Sequence, residues 1–402
     1  MSERNFKFEA IKKVADVNFK VKDLSKISKV DTISPPSVFV GSKLKYPLVN
    51  VGILSPLEKE EEAWIYDAPK EWAENNFEIR DVVKLRNSLL NSRFQTKVQD
   101  VRLNKKFVEI AKDLAVSSKQ VDVEIELQNR VLIGRDKDRV LTPHGMKGQL
   151  KKAEITGNVK VEKSVDKIIN DEIKAAKGIE ILYNKDINEY SLNKILSVGV
   201  MGLKKDKKLV PTRWSITATD DTIGKYLLKT VKEYKWIENH ELFYGEFMGN
   251  QYMIMLFPNN WSYELLEMYL PGSSWNPGTE IKASTDIESF SGRKSYAFNT
   301  AGGYYAARLP ILEYLNSIKR QASIIALRIE TPSYWAALGV WVVRESVRKA
   351  LKNKMFFDNR NEMIDSVKKI GQIKYNFDFT DIINQSKLLK DLKAKRSLHE
   401  WF

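Results

Sequence analysis

The sequence predicts an α+β protein with a mixed or antiparallel sheet core, surrounding helices and a flexible C-terminal tail. Three observations predict it. Short runs of alternating or continuous apolar residues, bounded by Gly and Pro, read as strands. Longer segments carry apolar residues at helical spacing. The two kinds do not alternate regularly enough for a doubly wound parallel domain.

Residues 1–30 hold eight Lys/Arg against four acids and read as a basic arm. Val38–Gly41 and Leu48–Gly52 read as short strands after the turn-rich Ser34-Pro35-Pro36-Ser37. Residues 77–96 read as one helix with Ile79, Val82, Val83, Leu85, Leu89 and Leu90 as its stripe. A further helix covers about 104–115. Val121–Leu127 alternates as a half-buried strand should. Residues 134–148 read as a surface loop or disordered connection, followed by helices over 165–184 and, from Ser191 as N-cap, 192–198.

A helix near 222–234 precedes a hairpin in which 240–248 pairs with 251–257 around Gly249-Asn250. Residues 270–278 are too rich in turn formers to be regular. Ala301-Gly302-Gly303 opens a helix to about 320, with Pro310 inside it, and 323–329 is a strand. An amphipathic helix spans 340–353 on Val340, Val343, Val347 and Leu351, with Arg344, Arg348, Lys349 and Lys352 on other faces. The division expected is a basic arm (1–30), an N-terminal region (31–280), a C-terminal region (281–380) and a Lys-rich tail (381–402).

Composition narrows the chemistry. The chain of 402 residues is 43% hydrophobic and 29% charged, as folded soluble proteins are. It has neither an apolar run long enough to span a membrane nor a leader segment, so a cytoplasmic location is expected. Zero cysteines exclude disulfides, thiolate nucleophiles and Cys-held zinc or iron–sulfur sites. The three histidines, His144, His240 and His399, are far apart, which disfavours a His metal centre or a Ser-His-Asp triad. No cofactor is expected; if the protein is an enzyme, carboxylates favour Mg²⁺. The net charge of +14 and pI near 9.4 favour a polyanionic partner, most simply DNA. A thermophile's charged surface explains abundant charge of both signs, but not the excess of 66 basic over 52 acidic residues.

Two stretches carry candidate sites. Lys204, Lys205, Lys207 and Lys208 run into Arg213-Trp214, among Thr212, Ser215, Thr217 and Thr219. Cations hold phosphates, an indole face stacks bases and hydroxyls donate to phosphate oxygens. The alternative is a strand with an ordinary buried Trp and an exposed Arg. Asp220, Asp221, Glu246 and Glu330 are acids in or beside expected strands, and metal-dependent phosphodiester chemistry needs converging carboxylates. Asp220 and Asp221 also suit a helix N-terminus. Glu246, on an apolar strand, needs a partner such as Arg213, Arg293, Arg308 or Arg344.

At the C-terminus, Leu398, Trp401 and Phe402 stand at i, i+3 and i+4, on one face of a helical turn. The spacing resembles the PIP box, the peptide by which proteins dock on the sliding clamp PCNA. Lys395 holds the usual Gln slot; it can donate a hydrogen bond but cannot copy both amide functions. Lys387, Lys390, Lys393, Lys395 and Arg396 would form a flexible leash before the motif.

The longer segments resemble the archaeal Nre family of DNA repair proteins. They are SPPSVFVG (34–41), LVPTRWSITATDDT (209–222), PGSSWNPG (271–278), GRKSYAFNTAGGYYAARL (292–309) and RQASIIALRIETPSYWAALGVWVVRE (320–345). The resemblance implies a role in DNA damage repair, with recruitment to PCNA through Lys395, Leu398, Trp401 and Phe402. Many members carry an N-terminal cysteine cluster that looks like a zinc site; this chain has no Cys, so zinc is not carried over. The leading expectation is a DNA-binding repair factor tethered to the clamp. The alternative is a nucleic-acid- or nucleotide-processing enzyme, a carboxylate-metal nuclease on Asp220, Asp221 and Glu246 or an ADP-ribosyl-transfer-like site near Arg213.

Overall fold

The structure, a computed structural model, describes residues 27–133 and 140–394. They form two compact units, residues 27–223 with 337–339 and residues 224–336 with 340–394. Residue 280, where the N- and C-terminal regions are expected to meet, lies between two paired strands of the second unit's sheet.

The first unit begins with β1 (Lys29–Ser34), β2 (Val38–Val40) and β3 (Leu48–Ser55), then α1 (Pro69–Glu74) and α2 (Ile79–Asn87). The single helix expected over 77–96 is corrected here. α2 ends at Asn87 with Ser88 as its C-cap, and β4 (Leu90–Lys97) follows at once. Leu89 and Leu90 fit the helical stripe, but from Ser92 to Lys97 burial alternates with period two, with Ser92, Phe94 and Thr96 buried, as a strand's does. Next come α3 (Lys106–Val116), β5 (Val121–Leu127), β6 (Leu132–Ile133) and β7 (Met146–Ile155). The sheet order is β1-β5-β7-β4-β3-β2, with β6 also on β7; β4 and β7 run parallel and the other pairs antiparallel. Met146 to Gly148, expected within a loop, are thus a strand flanked on both sides.

The helix expected over 165–184 is two, α4 (Lys163–Asn170) and α5 (Ala175–Tyr183). α6 (Glu189–Ser197) is capped by Asn188, whose side chain accepts from Ser191 N at 2.9 Å, so Ser191 lies inside the first turn. α7 (Thr212–Val231) is one helix where a strand and a later helix were expected. Ile216, Thr217, Thr219, Thr222 and Ile223 read as strand formers, but Pro211 fixes the start of a helix and burial of Ser215, Thr219 and Ile223 holds it.

The second unit holds β8 (His240–Phe247), β9 (Asn250–Phe257), β10 (Ser262–Tyr269), β11 (Lys282–Glu288), α8 (Ala301–Ile318), β12 (Ser323–Glu330), α9 (Trp341–Ala350) and β13 (Lys354–Phe357). Its order is β11-β10-β12-β9-β8-β13, parallel only between β10 and β12. Phe247 pairs with Asn250, so the hairpin turns on Met248-Gly249, one residue before the expected position. Both have positive φ (51° and 73°), as a type I′ turn demands. A Cβ on Gly249 would lie 2.5 Å from Tyr334 N, so glycine is required on two counts.

α10 (Arg360–Tyr375), α11 (Thr380–Gln385) and α12 (Lys387–Ala394) complete the unit. Met363, Val367, Ile383, Leu388 and Leu389 from these helices bury Leu242, Met255, Ile325, Leu327 and Ile329 of the sheet. The Lys-rich stretch is therefore docked, not a leash, as far as residue 394. Glu264 of β10 accepts from the backbone N–H groups of Lys387 and Leu388 at 3.1 and 3.0 Å, a carboxylate at the positive end of α12. No helix among the described residues is long and apolar enough to cross a membrane.

The opposite sheet face, towards α8 and α9, carries charge. Arg328 of β12 reaches Glu267 of β10 at 2.7 Å, Glu330 at 3.0 Å and the Asn250 side chain at 2.6 Å. All four side chains are buried. Burial works to lower the Arg328 pKa, but Glu267 and its other acidic neighbours more than offset this and hold it cationic. Burial pushes the Glu330 carboxyl up, against the pull of Arg328, as expected where one cation faces two buried acids. A Cβ on Gly303 would lie 2.6 Å from Glu267 Oε1, so the first turn of α8 comes down directly on this carboxylate.

Two predictions follow from these arrangements. Arg328→Met strands two buried carboxylates and should cost about 3–5 kcal/mol by denaturant melt. Adding Glu267→Gln should recover part of that loss, and strict additivity would contradict the coupling. In the first unit, buried Asp100 accepts from Thr96 Oγ1 (2.6 Å), Lys97 N (2.9 Å) and Lys105 Nζ (2.7 Å). Burial raises its pKa, but those donors more than offset it and bring it from 3.8 to about 2. A lowered folded pKa gives stability that is complete above the unfolded value and lost as pH falls through the folded one. Asp100→Asn should therefore cost about 1–3 kcal/mol at neutral pH. The gap from wild type should narrow between pH 3.8 and about 2, read by thermal melts across that range.

Candidate nucleic-acid interface

The four-lysine stretch is held to the first unit by its backbone. Leu209 N donates to Val98 O (2.9 Å), and Val210 N donates to Ser197 O (2.8 Å). Arg102 Nε donates to Lys207 O at 2.7 Å. A Cβ on Gly199 (φ 70°) would lie 2.3 Å from Lys208 O, so the stretch lies flat on that turn. The start of α7 is pinned as well: Thr212 Oγ1 accepts from Val40 N at 2.8 Å and meets Ser197 Oγ at 3.2 Å.

On this fixed backbone Lys204 and Lys205 project into solvent from a single 3₁₀ turn, and Lys208 from two residues beyond it. Lys207 differs. Its ammonium donates to Ile169 O at 2.7 Å, and burial, with Lys112 and Lys204 nearby, lowers its pKa. It helps fasten the loop. Trp214 is 54% exposed, against the buried indole of the plain-strand alternative, and Arg213 is half-buried beside it. Exposing an indole forgoes its apolar burial, which gives Trp214 the form of a stacking surface. Thr217 is turned inward along the helix, with Oγ1 directed at Arg213 O (3.4 Å), and Ser215 Oγ donates to Thr212 O, so these hydroxyls satisfy the helix itself.

The acids sit otherwise than a metal site needs. Asp220 is buried and Asp221 half-buried in the middle of α7, so neither is at a helix N-terminus. Glu246 is not the buried strand acid expected; it is exposed and pairs with Lys374 at 3.2 Å. The arginines suggested for it are engaged with other groups: Arg293 with Asp286 at 2.8 Å and Arg308 with Glu288 at 2.9 Å. Glu330 belongs to the Arg328 network. Among the described residues no three Asp, Glu or His side chains converge to hold a cation. The terminal residues Lys395, Leu398, Trp401 and Phe402 lie outside the described residues.

Comparison with known proteins agrees along nearly the whole chain. The family "Archaeal Nre, N-terminal" matches residues 7–276, and "Archaeal Nre, C-terminal" matches residues 288–401. A protein of Haloferax volcanii named DNA repair protein NreA is 39% identical over 326 residues, covering 80% of this chain and 77% of its own length. Its namesake in Archaeoglobus fulgidus is 38% identical over 335 residues, with 83% of each chain covered. DNA repair protein NreB of the same organism is 34% identical over 360 residues, 89% of this chain and 88% of its own. No solved structure matches. With family matches over most of its length and relatives at this identity, the chain belongs to the archaeal Nre family.

Proposed function

We propose that this chain is a DNA repair factor that binds DNA through the first unit and is recruited to the sliding clamp PCNA by its last eight residues. The repair role rests on relatives named for DNA repair. The observation that carries DNA contact is the exposed set Lys204, Lys205 and Lys208, ahead of solvent-exposed Trp214 on a rigidly held backbone. Three ammonium groups on a fixed loop neutralise phosphates, and the indole offers a face to an unpaired base. The clamp reading rests on the apolar spacing of Leu398, Trp401 and Phe402, with Lys395 in the polar slot.

Charge reversal at Lys204, Lys205 and Lys208 should weaken DNA binding across sequences. It should also flatten the dependence of log K on log salt by about 0.9 per lost phosphate contact. An unchanged slope, measured by anisotropy titration, would remove this loop from the interface. For the clamp, burying three large apolar side chains contributes roughly 1.5–3 kcal/mol each before ordering costs, consistent with affinity on the order of micromolar. Calorimetry with purified PCNA should show binding by the full chain and none after removal of residues 395–402. Lys395→Gln should tighten it. Equal binding with and without those residues would sink the clamp assignment.

A further inference from the structure

The first unit also contains a cleft over one face of its sheet. Register across β2, β3 and β4 places Phe39 opposite Gly52 and Gly52 opposite Arg93, while Lys147 of β7 stands opposite Asn91. These residues share a face because alternate positions of paired strands do. Gly52 has no side chain, and the space it leaves is used: an added Cβ would lie 1.6 Å from Asn91 Oδ1. The Asn91 amide therefore lies flat on the sheet and leaves open volume above it. His144 covers one side, its ring 4.9 Å from that of Phe39 and tilted by 58°, and its Nε2 2.7 Å from Asn91 Nδ2.

The covering loop is held rigidly. Arg86 Nε donates to Pro143 O (3.0 Å), and Gly145 N donates to Arg86 O. Arg86 is itself paired with half-buried Asp67 at 2.8 Å. The cleft thus has an aromatic wall, an amide in its floor, and three cations, Lys43, Arg93 and Lys147, with no carboxylate among the described residues that line it.

Two groups in it are left without partners. The Asn91 side-chain oxygen is fully buried and makes no hydrogen bond. Arg93 is half-buried, and its guanidinium makes no hydrogen bond or ion pair among the described residues. Its situation stands apart from that of the paired arginines. Arg86, Arg293, Arg308, Arg328 and Arg348 each have a carboxylate within 3.1 Å. A buried amide oxygen and a sheltered guanidinium are both costly to leave unmatched. A ligand with a flat π face and a negative charge would match the aromatic wall and the guanidinium of the cleft.

We infer that this cleft binds one nucleotide: its base against the Phe39–His144 wall, and its phosphate on Arg93 with Lys43 and Lys147. The inference deepens the DNA-binding reading and rests on it only for the source of the nucleotide. An unpaired nucleotide in a DNA strand and a free mononucleotide share this chemistry. A base inside a duplex does not, because its face and pairing edge are covered.

The test compares the full-length wild type with Arg93→Gln on three probes: a fully paired duplex, the same duplex with one unpaired adenine nucleotide, and deoxyadenosine 5′-monophosphate. Wild type should prefer the unpaired-nucleotide duplex by about tenfold, or about 1.4 kcal/mol. Arg93→Gln should abolish that preference and mononucleotide binding while leaving paired-duplex affinity unchanged. Arg93→Lys should restore part of both, since it keeps the charge but not the planar fork. Because the Arg93 guanidinium makes no bond among the described residues, all three proteins should melt alike. Mononucleotide binding sensitive to Arg93, without a preference between duplexes, supports the site and assigns it a free nucleotide. Normal paired-duplex binding with neither preference nor mononucleotide binding overturns the cleft and spares the DNA reading. Mononucleotide binding with no affinity for any duplex overturns the DNA reading and spares the cleft. A preference that survives Arg93→Gln also overturns the inference.

Discussion

The second unit is organised by a charge that water does not reach. Arg328 lies in a central strand, covered on one sheet face by α10 to α12 and on the other by α8 and α9. A lone cation there would be prohibitively costly, so its neighbours are fixed by the need to match it. Glu267 comes from the parallel neighbour β10, Glu330 from two residues further along β12, and Asn250 from the start of β9. One side chain thereby locks the relative register of three strands. Glycine at 303 then lets α8 begin on top of Glu267, so the network also sets where that helix starts. A carboxylate does comparable work on the other face, where Glu264 receives α12.

The first unit applies the same rule with a different outcome. Buried Arg86 and half-buried Asp67 and Lys194 form a group in which burial raises the Asp67 pKa and the two cations more than offset it, leaving it lowered. That group anchors the loop carrying Pro143 and His144. The Arg93 guanidinium in the cleft beneath that loop receives no such match among the described residues. Structural charges in both units are closed off by partners a few ångströms away. The charges of Lys204, Lys205, Lys208 and Arg93 are presented on backbone that is itself well bonded. The contrast separates charges that hold the fold from charges offered outward.

Much of the fold was legible where period and punctuation agreed. The strand 121–127, the helix opening at Ala301 and the strand ending near 330 all stand as read. Failures cluster where local preference met tertiary demand. Residues 212–223 are rich in β-branched side chains, yet they form a helix because one face of it is buried. The strand starting at Leu90 was hidden because two leucines fitted both periods. For the site, the exposed lysines and Trp214 were visible as composition. Lys207 was not separable from its neighbours, since only the fold shows that it bonds Ile169. The cleft was invisible: Phe39, Asn91, Arg93 and Lys147 come from three strands and meet only through register. The sole local signal was Gly52 inside an apolar strand, where a glycine marks a close approach.

The docking of α12 also changes what a clamp-bound tail does. A flexible leash starting near residue 381 would let the protein wander over tens of ångströms from its anchor. The structure carries the chain to Ala394 on a helix whose Leu388 and Leu389 are buried and whose N-terminus Glu264 holds. From there to Leu398 is four residues, at most about 14 Å when extended. With Leu398, Trp401 and Phe402 seated in a clamp pocket as proposed, the second unit stands almost against the clamp. Lys390 and Lys393 are exposed on that same terminal helix. Their charge then belongs to the surface that meets the clamp or the DNA threaded through it. A short, positioned connection gives a high effective concentration at one place and little reach beyond it. The tail in this reading sets orientation as well as address.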